Sequence, residues 1–411
     1  MMIKLLPIVV AVAFLPLAMC WGFWMLLALA SLLPRRVVQA STIAESRVKI
    51  DVLIPAHNEE ALLPKLLESI RGQTFSGALG RVLVVADHCS DATAEIARRW
   101  GADVLERGTG PRGKPAAVRD GLAYLTAAGS PGDAVLFVDS DCTISPNFLE
   151  HASAGLAAGY QVLQSVYILE EDGEAGLGNS VRLGFLLKNL LRPTGLAALH
   201  LPVQLFGAGM VFRREILGQI TFGDYLAEDV QISHRLLAVG IYPHFIADAR
   251  VVSPAVHDQE AITKQRLRWE GGQFEIWKSI PPLAFKLAIR ARLRGLIVLL
   301  DWAAPPLAMA VMGWMFLTAI TVVLALLHWA PLATLAVPVV PAIFLALYLV
   351  VGALSAGGPR ALLQIVTTAP KFLFWKLALY ANMLRGNRAT SWDRTPRAPQ
   401  VAPQPEPKVV E

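Results

Sequence analysis

The 411-residue chain has little cysteine and little charge. Its three cysteines, Cys20, Cys89 and Cys142, form no CxxC pair, which excludes a disulfide scaffold and a cysteine-built zinc site. Cys20 lies in an apolar run, and Cys89 and Cys142 lie beside acidic motifs; all three read as reduced and inert. Charged residues make up 17% of the chain against 55% hydrophobic, too few to coat one soluble domain of this length. Two stretches, residues 5–33 and 302–359, carry no Asp, Glu, Lys or Arg at all. The net charge of +5 could suggest nucleic acid, but the basic residues border the apolar stretches instead of forming one patch. That placement fits lipid headgroups and argues against a nucleic-acid partner.

What is present is a membrane protein with one soluble domain. At about 1.5 Å per residue, the first stretch crosses a hydrocarbon layer of roughly 30 Å. It is longer than the apolar core of a signal peptide, about 7 to 15 residues, and Arg35 and Arg36 stand where small residues would mark cleavage. The second stretch is long enough for two crossings, with a hairpin at residues 328–331, making three spans. Lys4 stands alone before the first span. Arg35, Arg36, Arg47 and Lys49 follow it, and Arg360, Lys371, Lys376, Arg385 and Arg388 follow the last. The positive-inside rule therefore places the central domain and the tail in the cytoplasm, at the plasma (inner) membrane.

The expected organisation is an anchor and linker over residues 1–49, a soluble domain over 50–280, an interfacial amphipathic helix over 281–301 and two transmembrane helices over 302–359. A membrane-proximal basic segment (360–394) and a disordered tail (395–411) complete it. In the interfacial helix, Lys286, Arg290 and Arg294 recur opposite Leu283, Leu287 and Ala291. The segment RLGFLLKNLLR, residues 182–192, reads equally well as a second interfacial helix near an acceptor or as a core helix.

From residue 50 the pattern alternates strand, loop and helix: IDVLIPAHNEE, RVLVVADHCSD, ADVLERG and AVLFVDSDCTI, with helical stretches between. Such alternation predicts an α/β fold with a mainly parallel sheet, whose ligand site lies beyond the carboxyl ends of the strands. Asp87, Asp139 and Asp141 all fall at such ends. One aspartate there is an ordinary turn-former; three on one edge point to a shared site. The DSD of Asp139 and Asp141 offers two hard carboxylates to Mg²⁺ or Mn²⁺, the usual partners of substrate phosphates. Glu228 and Asp229 open a helical stretch, and Gln265, Arg268 and Trp269 share one helical face. His257 could approach the metal, although a surface or capping role suits it better.

In order, PAHNEE (55–60), ADHCSD (86–91), GK (113–114), DSD (139–141), GAG (207–209), ED (228–229) and QRLRW (265–269) resemble the glycosyltransferase family 2 pattern. The resemblance covers residues 50–280, in the branch of cellulose, chitin, hyaluronan and poly-N-acetylglucosamine synthases. It implies a GT-A-like domain and an inverting transferase acting on a UDP-sugar. Pro55, Ala56, Asn58, Glu60, Asp87, Lys114, Asp139, Ser140 and Arg268 would bind the donor, and Asp139 and Asp141 the metal. Asp229 would be the general base. Gly207, Ala208, Gly209, Glu228, Gln265 and Trp269 would meet the acceptor. His88 stands where family members often carry Asp or Asn.

Within that resemblance two acceptors compete, a growing polysaccharide or a lipid, the latter as in ceramide glucosyltransferases. Three spans are few for enclosing a polymer channel, so a polymer product would call for partner subunits or a homo-oligomer. The balance leans slightly to polysaccharide assembly. A nucleotide-sugar sensor would need no base beside an acceptor platform. A transporter is disfavoured because residues 302–359 hold no ionisable group except His328.

Overall fold

The computed structural model describes residues 2–34, 48–130, 132–171, 177–220, 228–256 and 258–385. Arg35, Arg36, Arg47, Ala227, His257, Arg388 and the tail over 395–411, about which the sequence raised expectations, lie outside the described residues.

A long helix α1 (Met2–Ala30) precedes the soluble domain, which opens with β1 (Ile50–Ala56), α2 (Leu63–Arg71), β2 (Leu79–Asp87), α3 (Thr93–Arg99), β3 (Asp103–Arg107), α4 (Lys114–Ala127) and β4 (Ala134–Phe137). There follow β5 (Thr143–Ile144), α5 (Phe148–Ala157), β6 (Val162–Leu169), α6 (Leu177–Leu186), a single π turn (Leu187–Leu191) and α7 (Arg192–Ala198). After these come β7 (Met210–Arg213), α8 (Arg214–Leu217), α9 (Glu228–Val239), β8 (His244–Ser253) and α10 (Gln259–Trp277). The chain continues through α11 (Ile280–Ile289), α12 (Leu293–Trp302), α13 (Leu307–Leu326), α14 (Val339–Gly357) and α15 (Pro359–Leu384).

The strands form an eight-stranded sheet in the order β3-β2-β1-β4-β7-β6-β8-β5. β1 pairs in parallel with β2 and β4, β2 with β3, and β6 with β8; β7 and β5 run antiparallel to their neighbours. The centre is parallel because IDVLIPA and AVLF are almost wholly buried and apolar, as strands covered on both faces must be. Leu63, Leu66, Leu67 and Ile70 of α2 pack one face with Phe148 and Leu149. Val118, Leu125, Phe212 and Ile232 pack the other. Burial of these side chains is the main stabilising term, roughly 25 cal/mol per Å² of apolar surface. Two strand ends, Asp87 of β2 and the DSD just after β4, consequently meet on one edge beside β1.

Among the described residues four helices are long and apolar enough to cross a membrane: 5–30, 307–326, 332–355 and 359–384. Trp21, Trp24 and Tyr348 pack α1 against α14. The domain is fastened to this bundle through Asp301, which accepts from Trp24 Nε1 at 2.8 Å and from Arg192 Nη1 at 2.6 Å.

Two features differ from the sequence reading. The single interfacial helix over 281–301 is two helices, α11 and α12, broken at Ala291, whose φ is 51°. Arg292 donates to the carbonyls of Leu237, Ala238 and Val239, and Arg290, one of the three basic residues expected to face headgroups, also donates to the Ala238 carbonyl, so both cap the end of α9. The membrane-proximal basic segment contains α15, a fourth long helix. Its basic residues are too sparse to break the apolar pattern, and Lys376 turns inward to pair with Glu270 of α10.

Candidate active site

A single cavity of about 570 Å³ runs from the sheet edge to the helical bundle. At the sheet end, Pro55 and Ala56 close β1, and Asp87 closes β2. The Asp87 carboxylate accepts from the Gly113 amide at 2.8 Å and is paired with Arg107 and His88. These bonds hold the loop before α4 in place, so that Lys114 enters the cavity from the first turn of that helix.

Lys114 Nζ donates to Asp139 Oδ1 at 2.5 Å and to the Gly207 carbonyl at 2.9 Å. Burial opposes its charge, but Asp139 and Glu228 outweigh that and hold its pKa above the usual lysine range. Asp139 and Asp141 place carboxylate oxygens within 4.8 Å of each other and of the Cys142 thiol. Two hard oxygen donors fit Mg²⁺ or Mn²⁺. The thiol is fully buried and lies 3.3 Å from Asp141 Oδ1.

Across the cavity, Glu228 and Asp229 open α9, where amide dipoles favour negative charge. Burial raises the carboxyl pKa of Glu228 to about 7 against the pull of Lys114, and its Oε2 has no hydrogen-bond partner. Burial also raises Asp229, partly offset by the Val230 amide, Lys188 and Lys114. Gly207 has φ 83°, and a Cβ placed there would lie 3.3 Å from Asp229 Oδ2 and 4.0 Å from Lys114 Nζ. Only a glycine leaves that space open between the Asp229 carboxylate and the Lys114 ammonium.

Most of the residues singled out in the sequence face this cavity: Pro55, Ala56, Asp87, Lys114, Asp139, Ser140, Asp141, Gly207, Glu228, Asp229, Gln265, Arg268 and Trp269. Four do not. Asn58 accepts from the Ser90 amide at 2.8 Å and Glu60 from the Ala92 amide at 3.0 Å, stapling the loop after β1 to the loop after β2. Between them, His57 and Glu59 reach the cavity instead. Ala208 and Gly209 lie behind it, where the Ala208 carbonyl accepts from Gln164 Nε2 at 2.9 Å and Gly209 packs on Ser165.

Sequence reasoning did not single out Lys188, Arg192, Arg266 and Lys376, which also line the cavity. The LKNLL turn gave no signal for Lys188, because a π turn shifts helical phase in a way spacing does not reveal. Of the two readings left open for residues 182–192, the segment serves as a cavity wall packed on the domain: Phe185 belongs to the domain core and Leu187 and Leu191 to the bundle core.

Comparison with known proteins agrees with this construction. Residues 47–272 match the model of the family described as "Glycosyltransferase like family 2". The 4,4'-diaponeurosporenoate glycosyltransferase of Staphylococcus haemolyticus is 34% identical over 116 residues, 28% of this chain and 29% of that protein. The probable glycosyltransferase YdaM of Bacillus subtilis is 23% identical over 258 residues, 58% of each chain. The chain thus spans less than two thirds of these relatives' lengths. Among solved structures, the mannosyltransferase PcManGT of Pyrobaculum calidifontis, in complex with GDP-Man and Mn²⁺, shares the fold at a TM-score of 0.51 and 18% identity, over 94% of this chain and 100% of that one. With the family model covering more than half its length, the chain belongs to the glycosyltransferase 2-like family and is a transferase with a GT-A-like domain.

Proposed function

We propose that the chain is a membrane-anchored, inverting transferase that moves a hexose or N-acetylhexosamine from a UDP-sugar to an acceptor with a long apolar part. The domain would face the cytoplasm. The observation that carries this reading is the continuity of one cavity from Asp139 and Asp141 to Trp24, Leu307 and Tyr348 of the apolar bundle. A polymer chain needs a polar, open path; these walls suit a lipid that enters sideways from the bilayer. The same walls shift the balance from polysaccharide toward lipid.

In this reading Asp139 and Asp141 hold the divalent cation, which neutralises charge on the departing diphosphate. Lys114 and Arg268 grip phosphate oxygens, Arg268 as a planar fork. Asp229 takes the proton from the acceptor hydroxyl as its oxygen attacks the anomeric carbon from the face opposite the diphosphate. One displacement of this kind inverts the centre. Trp269 supplies an apolar plate beside the attacking group; it sits 5.4 Å from the Phe185 ring.

The helix α15 fits the same picture. Its residues Thr368, Trp375 and Lys376 bond to Ser180, Thr263 and Glu270, all in the soluble domain, while Val366, Phe374 and Leu377 point outward. A helix fastened to the domain along its length lies in the headgroup layer and roofs the cavity.

The test is to incubate the purified full chain in detergent with labelled UDP-sugars and a native lipid extract, then to partition the products. Label in the organic phase supports the reading. Label confined to high-molecular-mass, water-soluble product would overturn it.

A further inference from the structure

Six basic side chains line the cavity: Lys114, Lys188, Arg192, Arg266, Arg268 and Lys376. Lys114 is neutralised by Asp139, Arg192 by Asp301, and Lys376 by Glu270. Lys188 and Arg266 have no acidic partner among the described residues. Arg266 lies over the rings of Trp269 and Phe185, at 5.0 Å and 5.4 Å, and its Nε has no hydrogen-bond partner.

Lys188 is presented by the π turn. Its neighbours are fixed: Leu187 is buried against Gly352 of α14, and Asn189 Nδ2 donates to the Tyr167 carbonyl at 3.1 Å. The lysine between them lines the cavity, within electrostatic range of Arg192, Asp229, Arg266 and Asp301. Burial, then Arg192, lowers its pKa to about 8, and burial lowers that of Arg266 to about 10. Lys188 presents its ammonium to the open cavity and Arg266 is half-buried over its two rings, so an anion between these two uncompensated cations relieves their mutual repulsion.

Trp269, the plate assigned above to the acceptor, lies 5.0 Å under Arg266 and 5.4 Å from the Phe185 ring of the segment that carries Lys188. Lys188 and Arg266 are thus grouped with that plate, whereas Lys114 is paired with Asp139.

We propose that Lys188, backed by Arg266, receives an oxyanion, carboxylate or phosphate, at the polar end of the apolar acceptor. This rests on the reading above that the acceptor enters from the bilayer. With such a head, the oxyanion itself forms the bond to the anomeric carbon while the bond from that carbon to the diphosphate oxygen breaks. The diphosphate leaves with the electron pair and no proton is exchanged. With a neutral alcohol the hydroxyl proton goes to Asp229.

The experiment offers the full chain, in nonionic detergent with the labelled UDP-sugar it uses, three acceptors of equal chain length: hexadecanoic acid, hexadecyl phosphate and hexadecanol. The expected result is a kcat/KM at least about 10-fold higher for one of the two anionic heads than for hexadecanol, the better one naming the source. Lys188→Met should lower that value by about 100-fold, mainly through KM, in keeping with loss of a charged hydrogen bond. Lys188→Arg should restore it to within about threefold, and the loss in Lys188→Met should be at least about 10-fold smaller on hexadecanol than on the preferred anionic head. Monodisperse elution and UDP binding of Lys188→Met confirm that it is folded. Equal use of hexadecanol by the parent, or an equal loss on all three acceptors in Lys188→Met, would overturn the proposal. Labelling of none of the three, with label in water-soluble polymer instead, would overturn the bilayer-entry reading itself and this one with it.

Discussion

Lys114, in the first turn of α4, and Asp139, just after β4, meet at 2.5 Å in the cavity. The ammonium also holds the Gly207 carbonyl, so one cation ties the metal-side acid to the segment that faces Asp229. In the proposed mechanism, the donor and acceptor halves of the site would therefore be positioned by the same group. Lys114→Met is expected to raise the UDP-sugar KM by about 30-fold to 100-fold, the worth of one charge-assisted contact. Steady-state kinetics checks this. A KM within threefold of the parent would mean that Lys114 serves only to align Asp139.

Asp141 offers a carboxylate oxygen within 4.8 Å of one on Asp139. Asp141→Ala should therefore abolish metal-dependent donor binding, leaving UDP affinity equal with and without EDTA. Calorimetric titration of UDP with Mg²⁺, with Mn²⁺ and with chelator measures it. A persistent difference between metal and chelator in the variant would place the cation elsewhere.

How much of this was legible in the sequence follows from which physics each feature depends on. Buried strands such as IDVLIPA and AVLF announce themselves by composition, and the acids at their ends follow from strand length, so Asp87, Asp139 and Asp141 could be placed on one edge in advance. Asn58 and Glu60 could not be assigned correctly, because whether a loop side chain turns to ligand or to a neighbouring loop depends on backbone angles; Asn58 has φ 53°. Lys188 was hidden by the π turn, and α15 by a scatter of charges whose inward or outward direction only packing decides.

The carboxyl of Glu228, raised to about 7 from an ordinary value of 4.5, gives a stability signature with a definite sign. Between those values the folded chain binds more protons than the unfolded one, so stability falls as pH rises through that window. Glu228→Gln removes the titrating group. The Tm of the parent in detergent should drop between pH 5 and 7, and that of Glu228→Gln should drop less. Parallel curves would show that the carboxyl titrates normally.

The proposed base role requires Asp229 to be ionised, and burial holds its pKa above the ordinary aspartate value. Activity on a hydroxyl acceptor should thus fall on the acid side at a pH above the usual carboxylate range. Asp229→Asn should retain UDP binding and lose transfer by at least about 100-fold, the span of general-base catalysis. Transfer at the parental rate by the purified variant would remove Asp229 from the base role.

The placement of α15 yields the most direct structural test. A helix of 26 residues is long enough to cross a bilayer, and composition alone would count it as a span. Its partners argue otherwise. Thr368, near its middle, bonds to α6, and Trp375 and Lys376 bond to α10. Leu379, Tyr380 and Met383, near its end, pack with Leu267 and Phe274 of the same helix α10 and with Met309 and Met312 in the first turns of α13. A crossing helix would leave the soluble domain behind after a few turns; this one stays on it to the last. Arg385 should therefore lie on the same side of the membrane as Ser90, in the loop after β2, and opposite Trp329, between α13 and α14. In a Cys89→Ser background, single cysteines at 90, 329 and 385 can be labelled in inside-out vesicles with an impermeant maleimide. Positions 90 and 385 should react and 329 should not. Reaction of 385 only from the side that labels 329 would make α15 a span, and the cavity would lose its roof in the headgroup layer.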